Sequence, residues 1–114
     1  MNLFKIHRRK GAEMIRWTRT ARIAQGKQQE AIQWAKDLRE YTKTKFEGGA
    51  ETKIFLETLG DYGVICWMVD FENLATVELA GQVLNEDSGY QERLQAAVGL
   101  FLPGTFDKVY SSID

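Results

Sequence analysis

A chain of 114 residues, 44% apolar and 27% charged, can bury one core but not two, and this balance excludes disordered and fibrous classes. A net charge of −1 argues against a general nucleic-acid binder working through phosphate contacts. The charge is uneven: eight of fifteen basic residues precede Gln28, while from Asp70 onward eight acidic residues stand against two basic ones, so the two ends of the chain attract.

Residues 1–12 read as a basic tail around His7-Arg8-Arg9-Lys10, either a patch for an anionic surface or a solvated terminus. They lack the order of a signal peptide, and no apolar run approaches the ~20 residues of a membrane span. A single cysteine, Cys66, excludes an intramolecular disulfide, and its place between Ile65 and Trp67 predicts a buried, inert thiol. The expectation is a cytoplasmic protein with no membrane or nucleic-acid partner, folded as a single domain over residues 13–114.

Glu13 to Ile23 alternates as a strand, with Ile15, Trp17, Ala21 and Ile23 on one face and Arg16, Thr18, Thr20 and Arg22 on the other. Arg19 interrupts the apolar face, so it must reach solvent, a carboxylate such as Asp70, or a bound anion. From Lys27 to Phe46, Ala31, Trp34, Ala35, Leu38, Tyr41, Thr42 and Phe46 recur at helical steps, with Trp34 anchoring the inner face and Gly48-Gly49 ending the helix.

Glu51 to Phe71 predicts a β-hairpin turning at Gly60-Asp61-Tyr62-Gly63. Ile54 and Leu56 oppose Phe55 and Leu59 in its first strand. In its second, Val64, Cys66 and Met68 line one face and Ile65, Trp67, Val69 and Phe71 the other. Glu72-Asn73 offers an N-cap pair for a second helix with Leu74, Val77, Ala80, Gly81 and Leu84 on its stripe. A break at residues 85–89 recaps at Asp87 or Ser88 before Tyr90, Leu94, Ala97 and Val98. After Pro103-Gly104, Thr105 to Ile113 predicts an edge strand. Right-handed crossovers and the two-sided apolarity of the first and third strands predict the sheet order 4-1-3-2.

The order β-α-β-β-α-β is the ferredoxin-like α+β arrangement with a four-stranded antiparallel sheet. With a sheet apolar on both faces, it resembles the dimeric α+β barrel superfamily. Two helices cover one face, so the other predicts a homodimer through the sheet. The segment LNEDSGYQERLQAA followed by LPGTFDKVY is similar to NIPSNAP-like members. Superfamily relatives include antibiotic biosynthesis monooxygenases that work without a cofactor, haem-degrading enzymes and proteins of no known activity. The resemblance implies a pocket between sheet and helices, bringing Trp17, Trp34, Trp67 and Tyr41 forward as ligand walls or as plain core.

No cofactor or metal is expected: the only histidine, His7, lies in the tail, and neither H-x-x-x-H nor C-x-x-C occurs. The glycine pairs lack a phosphate-loop context. Asp70 is a candidate acid–base group, closing an apolar strand, or a partner of Arg16, Arg19 or Arg22. One reading is a protein that binds a small apolar or aromatic molecule, with cofactor-independent oxidation implied by the resemblance. Trp17, Trp34, Trp67 and Arg19 would line its site, and Asp70 and Tyr41 would be the catalytic candidates. The alternative is a non-catalytic interaction or assembly protein acting through its dimer surface or basic tail.

Overall fold

The structure is a computed structural model that describes residues 14–46 and 51–114. The basic tail and the Gly48-Gly49 helix stop lie outside the described residues. The elements are β1 (Ile15–Arg22), α1 (Gln28–Lys43), β2 (Thr52–Leu56), β3 (Val64–Phe71), α2 (Leu74–Asn85), α3 (Ser88–Ala96) and β4 (Phe106–Ser111). All strands pair antiparallel in the order β2-β3-β1-β4, so β1 and β3 are central as predicted and the fold is α+β and ferredoxin-like.

Period-2 alternation gives the sheet two different faces. In β3, Ile65, Trp67, Val69 and Phe71 are buried, while Val64, Cys66, Met68 and Asp70 are half-buried. Helices cover the first set: Ala31 and Ala35 of α1 pack with Ala21, Ile23, Ile65 and Trp67. Ala80 of α2 packs with Ile15, Val69 and Phe71. Leu38 of α1 is 9% exposed. Leu38→Ala should therefore cost roughly 2–4 kcal/mol in a denaturant melt, and a loss under about 0.5 kcal/mol would mean that this turn of α1 does not seal the core.

Several element ends differ from the sequence reading, each for a local reason. Helix α1 stops at Lys43 because the Thr42 and Thr44 hydroxyls bond back to the carbonyls of Arg39 (3.0 Å) and Tyr41 (2.7 Å), competing with continuation. Trp34, the expected anchor of that helix, is half-buried. Leu59 is not on a strand face but 92% exposed in the hairpin loop. There the Glu57 carboxylate accepts from Asp61 N–H, and Gly60 and Gly63 take φ of 123° and 79° that other residues avoid.

Asn73 caps α2 by accepting from Thr76 N–H at 2.9 Å, and it also accepts from the Thr76 hydroxyl. That bond lets Thr76 be buried beside Ala80, which rotates the inner stripe and leaves Leu74 52% exposed. Asp87 caps α3 by accepting from Tyr90 N–H at 2.8 Å. Helix α3 ends at Ala96, so Val98, expected on its stripe, falls outside it and is 85% exposed. Strand β4 takes the edge beside β1, shorter than predicted, and all its residues are exposed.

Candidate functional site

The candidate site lies on the face of the sheet that no helix among the described residues covers, called the helix-free face below. Cross-strand neighbours share a face, so the register writes it row by row. One row runs Phe55, Cys66, Thr20, Phe106; the next runs Lys53, Met68, Thr18, Lys108; a third holds Asp70, Arg16 and Tyr110. A cavity of about 560 Å³ opens over these rows. Its apolar floor is Cys66 and Met68 with Met14, and Thr18, Thr20 and Tyr110 add hydroxyls. Among the described residues Arg16 and Lys108 are the cations that line it. Phe55 (47%), Phe106 (65%) and Tyr110 (51%) leave large apolar surface at the edges.

Arg16 and Asp70 face each other across β1 and β3 and form a bidentate pair, Nε to Oδ1 at 2.7 Å and Nη2 to Oδ2 at 3.0 Å. The hydrogen bond to Asp70 holds the guanidinium still more firmly protonated than usual. Cys66 is not enclosed in the core, because strand alternation turns it to this face; it is half-buried, and burial, aided by the charge of Glu57, pushes its thiol up.

Of the residues singled out in the sequence, Asp70 lies on the cavity face and the tryptophans on the helix face. Trp34, Trp67 and Phe101 close edge to face, with ring centroids 6.3, 5.5 and 6.0 Å apart. Trp34 Nε1 donates to the Arg93 carbonyl at 2.9 Å, whereas Trp67 Nε1 is buried without an acceptor. Trp17 packs against both core clusters. Arg19 reaches Asp107 of β4 at 2.7 and 2.8 Å, not Asp70, and lies 5.3 Å over the Trp17 ring. That pairing raises Arg19 and lowers Asp107.

Tyr41 belongs to a separate cluster where α1 meets α3. Its hydroxyl donates to Asp87 at 2.5 Å, Lys45 pairs with the same carboxylate at 3.0 Å, and Arg93 stacks 3.7 Å over the ring. The Tyr41 bond first, then Lys45, pull Asp87 down from 3.8 to about 2. A depressed carboxylate stabilises the fold above its unfolded value, and that contribution is lost as pH falls through the folded one. The melting temperature should thus drop between about pH 3.8 and pH 2. Asp87→Asn should shrink that acid limb, and an identical limb in the variant would contradict the assignment.

Gly89 is required by the same cluster, because a Cβ there would collide with the Tyr41 hydroxyl and sit 2.8 Å from Tyr41 Cζ. Gly89→Ala should cost about 1–3 kcal/mol in a thermal melt, as overpacking does. Introduced into Tyr41→Leu, Gly89→Ala should cost little, and an equal loss in that background would contradict the clash.

What the sequence reading missed at the cavity is β4. Lys108 and Tyr110 reach this face only through the β1–β4 register, and the alternation of Arg16, Thr18 and Thr20 was the signal that a polar-and-apolar face lay opposite the core. Among the described residues no group of three or more His, Cys, Asp and Glu could hold a metal ion, and no helix is long and apolar enough to cross a membrane.

A search of curated proteins finds no relative of this chain. Solved structures similar to it include a NIPSNAP family protein from Agrobacterium tumefaciens, with a TM-score of 0.77, 21% identity, and 96% of this chain and 94% of that one covered. A second NIPSNAP family protein from the same organism, of unknown function, gives 0.75 and 19% identity over 94% of each chain. A putative antibiotic biosynthesis monooxygenase from Nitrosomonas europaea gives 0.66 and 12% identity over 88% and 90%. At these identities the likeness is one of fold, and it is the NIPSNAP-like, monooxygenase-like ferredoxin fold that the motif and element order resemble. A family model matches residues 9–110, and the chain belongs to that family, a family of unknown function designated DUF6039.

Proposed function

We propose that the chain is a homodimeric binding protein for a small apolar or aromatic molecule, held on the helix-free face of the sheet. The carrying observation is the cavity of about 560 Å³ over Cys66 and Met68. A volume of that order suits a small ligand, and an apolar floor with a few hydroxyls and cations is the usual make-up of such a site. A second copy closes the cavity: contiguous apolar surface is rare on monomers, and one self-complementary face serves both chains of a two-fold dimer.

The bidentate Arg16–Asp70 pair favours binding over acid–base catalysis at Asp70, since a carboxylate held by a guanidinium is a poor base. The likeness to a putative monooxygenase supports the shape of the protein rather than an oxidation. Calorimetric titration with 1-naphthol tests the reading. Saturable binding is expected, weakened at least roughly tenfold by Thr20→Phe, which fills the cavity with a side chain. Absence of saturable binding across a panel of such neutral aromatics, with a dimer intact, would favour a purely assembling role.

A further inference from the structure

We propose that the ligand of this face carries one anionic group of carboxylate size, and that Lys108 is the residue that takes it; this rests on the binding role proposed above. The charges on the face are divided unequally. Arg16 is engaged by Asp70 through two hydrogen bonds at 2.7 and 3.0 Å, so the pair is neutral and the Nε–Nη2 edge of the guanidinium is occupied. Lys108 lines the same cavity and has no hydrogen-bond or ion-pair partner among the described residues.

The acid next to Lys108 in the chain cannot serve it. Asp107 points to the opposite face by strand alternation and holds Arg19 there at 2.7 and 2.8 Å. No carboxylate lines the cavity among the described residues. Asp70, in the next row of this face, is held by Arg16, and Glu57, which acts on Cys66, is engaged by Asp61 N–H.

Position strengthens the case. Lys108 stands opposite Thr18, which is only 6% exposed, and the row continues through Met68 to Lys53, a second lysine without a partner among the described residues. An anion beside Lys108 would have the Thr18 and Thr20 hydroxyls as further cavity-lining donors and the Met68 and Cys66 floor for its apolar body. A cation over a partly dry floor favours a charge-assisted contact to a single anion. The chemical class is therefore an aromatic or aliphatic monocarboxylate, or another monoanion of that shape.

Calorimetric titrations of the full chain with 1-naphthoate and with 1-naphthol, which share a ring system and differ in charge, test this directly. On the wild type, 1-naphthoate should bind roughly tenfold tighter than 1-naphthol, the size of one charged hydrogen bond. Lys108→Met should collapse that ratio to about one, and Lys108→Arg should keep most of it. Raising the salt should shrink the ratio in the wild type and not in Lys108→Met. Equal affinities on the wild type would overturn the proposal while leaving the binding role intact. A preference for 1-naphthoate that survives Lys108→Met would also overturn it. Binding of neither probe would remove both the proposal and the reading beneath it. Lys108 is exposed on an edge strand, so circular dichroism should show both variants folded.

Discussion

Met68→Glu should separate the proposed dimer into monomers and abolish 1-naphthol binding, while the domain stays folded. Met68 sits in the central strand β3, half-buried on the helix-free face, between Lys53 and Thr18 in register. By two-fold symmetry each copy would bring a carboxylate into the same closed space. Even with Lys53 across the register to answer it, burying a carboxylate costs several kcal/mol, and each ~1.4 kcal/mol is a factor of ten in dissociation constant. Dimerisation should therefore weaken by at least roughly a hundredfold, seen by sedimentation equilibrium at micromolar concentration. Met68→Leu keeps shape and apolarity and should remain dimeric. A wild-type monomer, or an undisturbed Met68→Glu dimer, would show that other segments cover this face.

Trp67→Ala should be among the most damaging core substitutions, costing roughly 3–5 kcal/mol, because it opens a cavity where Trp34 and Phe101 meet edge to face. Trp67→Phe should behave quite differently. The indole N–H of Trp67 is buried without an acceptor, and an unsatisfied donor costs about 1–3 kcal/mol, so its removal offsets much of the lost ring volume. A net change within about 1.5 kcal/mol is expected in denaturant melts. The same variant separates two locations for the ligand: 1-naphthol affinity should be unchanged if the molecule sits on the open face. Loss of binding in Trp67→Phe would place it instead between sheet and helices, with that N–H as its donor.

Much of the fold was legible because local signals agreed with one another. The alternation of Val64 to Phe71 sorted both faces of β3, Glu72-Asn73 and Asp87-Ser88 marked the two helix starts within a residue, and crossover handedness with two-sided apolarity predicted β1 and β3 at the centre. Boundaries failed where a side chain met its own backbone, as at Thr42, Thr44 and Glu57, since no periodicity records such bonds. The candidate site was harder to read. Arg19 had solvent, a carboxylate or an anion open to it, and its pairing with Asp107 follows from face and register, since Asp107 stands opposite Arg19 while Asp70 stands opposite Arg16 on the other face. Lys108 looks like an ordinary surface lysine until register sets it opposite Thr18. Aromatic residues drew attention to the helix face, whereas the concave surface arose from smaller residues, Cys66, Thr18 and Thr20, whose individual sequence signal is weak.

The most direct test of the open face as the working surface is one NMR titration of the chain with 1-naphthol, recording methionine methyl and tryptophan indole N–H signals together. Met14 and Met68 line the cavity, and Trp34 and Trp67 lie on the other side of the sheet. The methyls of Met68 and Met14 should shift and saturate together while the indole signals of Trp34 and Trp67 hold still. Indole shifts that saturate with unmoved Met68 and Met14 methyls would contradict the account and put the ligand on the helix side.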